Sequence, residues 1–203
     1  KWDAAIDTCM AVISADNSYL PIHMMLGDIY LAQGKNVEAI TKYGTVMDTY
    51  VARQEPGNAA EACRRLLDLQ PDNPTLKTRL GLLFLEAGRE DDAARALLAI
   101  SEGYYREGNA IGALMEAQNL QLKMPNSSDI ALAVGTYKLA LGETREAVAD
   151  LGRALQLDPS DSIALTRLYL ALASTDEDTQ WDALNSLLER VSKDNKGVRA
   201  FLE

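Results

Sequence analysis

One short skeleton occurs twice in this chain, 54 residues apart, and it constrains the fold more than any other feature. It begins with Leu26-Gly27, continues with Tyr30, Gly34 and Ala39, and ends with Pro71. The second copy has the same order of residue types: Leu80-Gly81, Phe84, Gly88, Ala93 and Pro125. Repeats of this size are typical of elongated arrays, in which each unit buries its apolar face only against its neighbours.

Apolar residues recur at helical spacing between these landmarks, which predicts a chain built of helices and turns. The segments predicted to be helical are 1–16, 20–32, 36–53, 58–70, 74–87, 90–106, 109–123, 127–141, 144–157, 161–174 and 179–193, with the start of a further helix in 194–203. Glycine after a helix and proline one or two residues later are ordinary stop signals. The stretch Glu55-Pro56-Gly57-Asn58 is interpreted as a break between two helices. We therefore predict an all-α fold of ten to twelve helices.

The landmarks also predict how these helices are grouped. The predicted units are a partial unit 1–17, three-helix units 18–71 and 72–125, two-helix units 126–159 and 160–193, and the start of a further helix in 194–203, all in one array.

The middle helix of the first three-helix unit carries two patterns. Tyr50 stands nine residues before Ala59. Tyr30 stands nine residues before Ala39 in the same way. The helix over 36–53 is therefore predicted to be the second helix of one hairpin and the first helix of the next. Because short connections make successive helices antiparallel, the leading helices near 20–32 and 74–87 are expected to run antiparallel.

At these landmarks the chain resembles the tetratricopeptide repeat family, whose 34-residue helix-turn-helix signature carries Leu-Gly, Tyr, Ala, an aromatic, Ala and Pro. The positions that fit this signature are Leu26, Gly27, Tyr30, Ala39, Tyr43 and Val46; Leu80, Gly81, Phe84, Ala93, Leu97 and Ile100; and Val134, Gly135, Ala147, Leu151, Ala154 and Pro159. Lys138 and Tyr169 depart from it, since an aromatic and a small residue are usual there. The resemblance implies a right-handed α-solenoid of antiparallel helix pairs.

Charge and hydropathy narrow the classes of partner. The net charge of −10 argues against nucleic-acid binding, which needs clustered cations. No apolar run approaches the roughly 18 residues that would suggest insertion into a membrane. The chain opens inside an amphipathic pattern, so we expect a fragment of a longer cytoplasmic protein. Cys9 and Cys63 occupy the same slot in successive units and are predicted to be small buried hydrophobes, too far apart for a disulfide.

Catalytic chemistry has little support in the sequence. The single histidine, His23, has no His or Cys cluster with ligand spacing around it. The acidic run Asp176-Glu177-Asp178 lacks the spacing of a calcium-binding loop and is interpreted as a solvated turn. We predict no catalytic residue, no cofactor and no metal site, so the chain is not expected to be an enzyme.

The resemblance implies a non-catalytic scaffold that binds a protein or peptide segment along the concave face lined by the leading helices. The residues expected on that face are Met24, Asp28, Leu31, Thr78, Leu82, Leu85, Glu86, Leu132, Thr136 and Leu139. An apolar strip edged by carboxylates suits an apolar or basic segment. In the alternative interpretation, several of these side chains pack against the extra helices instead.

Other interpretations of the partner and the function stay open. Some members of the family hold acidic chaperone tails with a clamp of Lys, Asn and Arg side chains. No such clamp can be assembled here, because Arg79 and Arg167 are isolated. A tail would meet Asp28 and Glu86 without a paired cation. Self-association through the exposed ends of the array is possible. The alternative function is a ligand-sensing or regulatory domain of a signalling or transcription regulator, and a third is the repeat arm of an enzyme whose chemistry lies elsewhere.

Overall fold

The computed structural model of the protein describes residues 2–174 and the single position Asn185. Within residues 2–174 the chain forms α-helices joined by short turns, and no strand occurs there. In chain order the helices are α1 (Trp2–Ala15), α2 (Leu20–Ala32), α3 (Asn36–Ala52), α4 (Pro56–Leu69), α5 (Pro74–Glu86), α6 (Glu90–Arg106), α7 (Ala110–Lys123), α8 (Ser128–Ala140), α9 (Thr144–Leu157) and α10 (Ser162–Ala173).

This order confirms the predicted all-α, helical-repeat fold class. Nine of the ten helices begin and end within one residue of the predicted bounds. The helices predicted over 179–193 and 194–203, and the acidic run at 176–178, lie outside the described residues.

The exception is α4, which begins at Pro56 rather than at residue 58. The sequence Glu55-Pro56-Gly57-Asn58 was interpreted as a break, but Pro56 is the first residue of the helix. Proline suits this position because its fixed φ is already helical and its missing N–H would have no partner there. Only residues 53–55 separate α3 from α4.

The contacts divide the chain into two compact units, residues 1–96 and 97–203, with the boundary inside α6. In the first unit, α1 packs on α2, α2 on α3, α3 on α4 and α4 on α5. In the second unit, α7 packs on α8, α8 on α9, and α10 on both α9 and α8. Within each unit, these helices therefore pack against their neighbours in the sequence, as expected for a repeat array.

Five turns have three residues and share one backbone design. In the α2–α3 turn, the N–H of Gly34 donates to the carbonyl of Leu31 and the N–H of Lys35 donates to the carbonyl of Tyr30. This pair of hydrogen bonds is the Schellman motif, which needs a left-handed residue at its centre. That residue is Gly34 in the first turn (φ +75°) and glycine again in three others, whereas the α3–α4 turn has Gln54 (φ +60°).

The other turns have four residues and end in a side-chain cap at three places. Asn73 accepts a hydrogen bond from the N–H of Leu76 at the start of α5. Ser127 does the same at the start of α8, and Asp161 at the start of α10. Such caps satisfy N–H groups that have no partner inside the helix, and each one here marks the beginning of a hairpin.

The two turn types explain the double pattern of the middle helices. α3 has a three-residue turn at both ends, residues 33–35 and 53–55, and α6 has the same turns at 87–89 and 107–109. A three-residue turn joins the first helix of a hairpin to its second. Both α3 and α6 therefore follow one helix as its second partner and lead the next as its first.

A fully buried alanine follows each three-residue turn. The alanines are Ala39, Ala59, Ala93, Ala113 and Ala147, and in each case the N–H donates to the carbonyl of the residue directly before the helix. The small side chain allows the two helices of a hairpin to approach closely. This confirms the predicted burial of Ala39, Ala93 and Ala147.

Each unit has a local apolar cluster. In the first unit, Cys9 of α1 packs with Ile22, Leu26 and Ile29 of α2. In the second, residues of α8, α9 and α10 form a larger cluster around Leu151, Leu155 and Leu168. Cys9 and Cys63 are both buried free thiols, as predicted.

Candidate partner-binding face

The three candidate residues on α2 differ in exposure. Met24 is half-buried, while Asp28 and Leu31 are exposed. Asp28 accepts a hydrogen bond from the Tyr43 hydroxyl, with 2.6 Å between the oxygens. The Arg65 guanidinium of α4 lies 4.0 Å from the same carboxylate oxygen. The sequence analysis expected Asp28 to have no cation beside it, and the structure shows that it has one.

Gly27 makes the Asp28–Tyr43 contact possible. A Cβ added at Gly27 would lie 2.6 Å from the ring of Tyr43, so only glycine allows the ring to lie flat against α2. The ring is fully buried, and its hydroxyl reaches Asp28 at the edge of the crossing. Burial, followed by the hydrogen bond to the Asp28 carboxylate, raises the pKa of Tyr43 well above its ordinary value, so the phenol is a hydrogen-bond donor at neutral pH.

The candidates on α5 form an exposed strip. Thr78, Leu82 and Glu86 are exposed and Leu85 is half-buried. They recur at intervals of three or four residues, which places them on one side of a helix. Leu82 is 51% exposed, although it lies two positions before the buried Phe84. The strip is therefore apolar at its centre and carries a carboxylate, Glu86, at one end.

Arg79 was expected to be isolated, but it forms an ion pair with Asp48 of α3. One guanidinium nitrogen lies 2.6 Å from a carboxylate oxygen of Asp48. Both side chains are substantially exposed, so the pair contributes little to stability. Its importance is geometric, because it shows that the α5 strip lies beside α3.

The sequence analysis did not place any α3 residue on this face. Asp48 follows Val46 by two positions, as Asp28 follows Leu26, and Val51 occupies the slot of Leu31. Val51 is 39% exposed. The signal that could have identified these two residues was the first-helix pattern that Tyr50 and Ala59 give to α3. Six residues of α3 and α5 make up the surface that we call the α3/α5 face: Asp48, Val51, Thr78, Arg79, Leu82 and Glu86.

Packing determines which candidates the structure brings together. α2 packs on α1 and α3, whereas α5 packs on α4 and contacts α3 through Arg79. The helix beside α5 on this surface is therefore α3, and the α2 candidates lie next to α3 and α4 instead.

The three candidates on α8, in the second unit, are mostly committed to internal contacts. Leu132 and Leu139 pack against the apolar cluster of α8, α9 and α10. Thr136 accepts a hydrogen bond from the Arg167 guanidinium of α10, so Arg167 is not isolated either. For these side chains the structure supports the alternative interpretation, in which they pack against neighbouring helices.

The Asp48–Arg79 and Thr136–Arg167 contacts share one spacing. Each joins residues 31 apart, from one first helix to the next. The step from α3 to α5 is therefore equivalent to the step from α8 to α10. This equivalence makes α3–α4 and α5–α6 successive 34-residue hairpins.

Two other features are absent from the part of the chain that the structure describes. No group of three His, Cys, Asp or Glu side chains there is arranged to hold a metal ion. No helix among those residues is long and apolar enough to cross a membrane.

One protein-family model matches part of the helical chain. The model of the tetratricopeptide repeat family matches residues 48–104, from the second half of α3 through most of α6. That segment includes the last five residues of α3, all of α4 and α5 and most of α6, and it contains all six residues of the α3/α5 face. No curated protein matches the chain.

Several solved structures are similar in part. The chain is 16% identical to a chain from the APC/C hetero-tetramer Cut9–Hcn1, with a TM-score of 0.42. The match covers 85% of this chain and 40% of that one. It is 13% identical to YrrB, a TPR protein with an unusual peptide-binding site, with a TM-score of 0.40, covering 78% of this chain and 96% of that one.

A tetratricopeptide repeat protein from Parabacteroides merdae is 16% identical, with a TM-score of 0.35, covering 85% of this chain and 78% of that one. The match of the family model shows that residues 48–104 of this chain carry tetratricopeptide repeats.

Proposed function

We propose that this chain is a protein-interaction scaffold that binds an apolar or basic segment of a partner protein on the α3/α5 face. Tetratricopeptide repeats are typically non-catalytic interaction modules, which gives the general class. The observation that carries the proposal is Leu82, a large apolar side chain that is 51% exposed at the centre of the strip on α5.

Leu82 has no explanation within its own hairpin. Its neighbours Leu80, Leu83 and Phe84 are buried, so the core of the hairpin is complete without it. The equivalent slots of α2, α3 and α8 hold polar residues, Asp28, Asp48 and Thr136, whereas that of α10 holds another exposed leucine, Leu170. A large exposed apolar residue in a slot that is polar in most first helices favours a contact with a molecule outside the chain.

Charges on the face favour a basic segment over an acidic one. Arg79 is already paired with Asp48. Glu86 is exposed at the end of the strip and makes no ion pair within the described part of the chain. A lysine or arginine of the partner would find a carboxylate here. A partner carboxylate would have to displace Asp48 from Arg79, in a protein with a net charge of −10.

Two labelled helical peptides test this proposal, one of Leu and Lys and one of Leu and Glu with the same spacing of leucines. We expect the Leu/Lys peptide to bind and the substitution Leu82→Asp to weaken its binding at least about tenfold. Fluorescence anisotropy titrations at constant ionic strength measure both. Crosslinking from a photoreactive residue at position 82 in native lysate then identifies the partner.

The matched control is Val37→Asp, which introduces the same charge at an apolar side chain of the same unit that is 75% exposed and outside the α3/α5 face. It should leave the affinity for the Leu/Lys peptide unchanged. Equal losses for the two variants would show that the effect is one of net charge and would overturn the site. Preference for the Leu/Glu peptide would overturn the predicted character of the partner.

A further inference from the structure

α7 carries an apolar stripe on its outer side that the packing of its own unit does not use. Ile111 is 64% exposed, Met115 is 61% exposed and Leu122 is 83% exposed. The inward side of the same helix is complete, with Ala113, Leu114, Ala117 and Leu120 all buried. The outer apolar residues therefore add nothing to the core.

The equivalent helix 54 residues earlier, α4, shows that the stripe is not required by the fold. The inward residues of the two helices correspond: Ala59, Cys63 and Leu66 of α4 match Ala113, Ala117 and Leu120 of α7, and all six are buried. The outward residues differ in chemistry. α4 has Gly57, Glu61, Arg64 and Asp68, all exposed, where α7 has Ile111, Met115, Gln118 and Leu122. At three of these slots a polar residue or glycine is replaced by a large apolar one.

The spacing of the stripe fits another helix. Residues 111, 115, 118 and 122 are separated by four, three and four positions, the interval at which one helix presents a continuous seam to a second. No charged residue interrupts this seam, since its one polar member is Gln118. A seam of this kind excludes an ion as its ligand and favours a helical partner.

We propose that the α7 stripe is a self-association surface, on which α7 of a second copy of this chain packs antiparallel about a two-fold axis. In that arrangement Ile111 of each copy faces Leu122 of the other, and Met115 of each copy faces Gln118. The surface is thus complementary to itself, as a two-fold interface requires. The β-branched Ile111 meets the more exposed Leu122 at both ends.

Charge complementarity at the ends of the seam favours the same antiparallel pairing. Lys123 lies at the C-terminal end of α7, and Glu107 lies in the turn just before its N-terminal end. Both are exposed. Antiparallel pairing brings Lys123 of each copy beside Glu107 of the other, twice in the dimer. Parallel pairing would set the two lysines together and the two glutamates together, which is unfavourable in a chain whose net charge is already −10.

The small area of the seam determines how weak a dimer the experiment must detect. A stable dimer of standard size buries about 800 Å² per partner, which is more than three side chains provide. The dimer is therefore expected to form reversibly with rising concentration. Sedimentation velocity over a hundredfold range of concentrations, beginning at about 1 µM, should show a monomer converting to a dimer.

The variant Met115→Glu/Leu122→Glu is expected to raise the dimer dissociation constant at least about tenfold. The matched control, Met25→Glu/Val37→Glu, adds the same charge at two exposed apolar positions of the first unit outside the α3/α5 face and should leave the dissociation constant unchanged. Far-UV circular dichroism and the thermal midpoint establish that both variants fold. A wild-type chain that stays monomeric throughout overturns the proposal, and so does a dimer that the α7 variant leaves intact.

Crosslinking tests the orientation independently. Gln118→Cys should form a covalent dimer with a short thiol-specific bifunctional reagent, because two copies of residue 118 lie within one helical turn of the proposed axis. Arg64→Cys, the same slot of α4, is the matched control and should stay monomeric. The native Cys9 and Cys63 are buried and leave the background low. Equal crosslinking of the two variants would overturn the proposed surface even if a dimer exists.

Discussion

At the scale of single residues, Gln54 is the one residue other than glycine that has a positive φ in the described backbone. Its φ of +60° is left-handed, a conformation that the equivalent turns leave to Gly34, Gly88, Gly108 and Gly142. A side chain in this conformation costs roughly 1–2 kcal/mol. Glycine avoids that cost but loses more conformational entropy on folding, which cancels part of the gain in stability. The sequence predicted a turn here, but it did not identify Gln54 as the left-handed residue, because this turn lacks the glycine that marks the other four.

Gln54→Gly is therefore expected to stabilise the protein by up to about 1 kcal/mol. The midpoint of urea unfolding, followed by circular dichroism, should rise. The dependence of the unfolding free energy on urea concentration should not change. The reciprocal variant, Gly88→Gln, places the same side chain in the equivalent turn of the same unit and should lower the midpoint. Stabilisation by both variants, or by neither, would show that the left-handed turn is not the source of the effect.

Cys63 links stability to alkaline pH. Burial raises the pKa of its thiol from 9.0 to about 11, and its Sγ lies 3.6 Å from the carbonyl of Leu76, to which the thiol donates. Because the folded state holds the proton more tightly, this contribution to stability is complete below pH 9. It declines as the pH rises from 9 towards 11, where the unfolded chain loses its proton first.

We expect the free energy of unfolding to fall between pH 9 and pH 11 and the fall to be shallower in Cys63→Ala. Buried tyrosines with raised pKa, including Tyr43 and Tyr137, add a further decline above pH 10 in both proteins. Urea titrations at several pH values give the slopes. Ultraviolet absorbance of the thiolate follows the titration of Cys63 directly, and a titration centred near pH 9 in the folded protein would contradict the argument.

At the scale of helices, most of the architecture could be predicted because it depends on local signals. Prolines, left-handed glycines and capping residues mark nearly every turn, and the alanine slots give the phase of each hairpin. The bounds of α4 could not be predicted in the same way, since Pro56-Gly57 is typical of a break as well as of a helix start. Which exposed slots remain exposed depends on neighbours, so the internal contacts of Leu132 and Leu139 required the structure.

The helices α2 and α3 cross closely at Gly27, so a substitution there tests the packing of the hairpin. A Cβ at Gly27 would lie 2.6 Å from the Tyr43 ring, which is buried and held by its hydrogen bond to Asp28. Gly27→Ala should therefore cost about 1–3 kcal/mol through overpacking, measured by urea unfolding. Gly44→Ala is the control, because a Cβ there meets no atom within 4 Å. A smaller loss at Gly27 than at Gly44 would contradict the expected close approach.

Lys138 replaces the aromatic residue of its slot with an ion pair between α8 and α9. Its Nζ lies 2.6 Å from Asp150, and only 16% and 15% of the two side chains are exposed. Gln121 of α7 donates to the other oxygen of the same carboxylate at 3.1 Å. Three helices thus converge on one buried charge, a feature that a repeat signature based on aromatic packing could not predict.

We expect Lys138→Met to cost about 3 kcal/mol, because it leaves the Asp150 carboxylate buried without its cation. The double variant Lys138→Met/Asp150→Leu should recover most of that loss, since it removes both charges and preserves volume. Urea unfolding of the two single variants and the double variant completes the thermodynamic cycle. Additive losses in the double variant would show that the two side chains do not interact.

At the scale of the whole molecule, the net charge and the internal ion pairs both oppose acidic ligands. Arg79 is engaged by Asp48, and Arg65 lies beside Asp28, so the cations nearest to the first-helix surfaces of α2, α3 and α5 are partly neutralised. The sequence predicts that no cationic clamp can be assembled, on the ground that Arg79 and Arg167 are isolated. In the structure each of these two arginines is instead engaged by a neighbouring helix.

We therefore predict no measurable binding of a labelled acidic chaperone-tail peptide to this chain at physiological ionic strength. A tail carboxylate would lose water without gaining a free cation, and the net charge of −10 repels it at longer range. Asp48→Ala should release Arg79 and allow weak binding that disappears as salt is added. Arg79→Ala in the same background should abolish that gain. Tight binding of the tail to the wild-type chain would mean that its carboxylates find cations outside the α3/α5 face, and the search for the partner site would then move to the outer surfaces of the second unit.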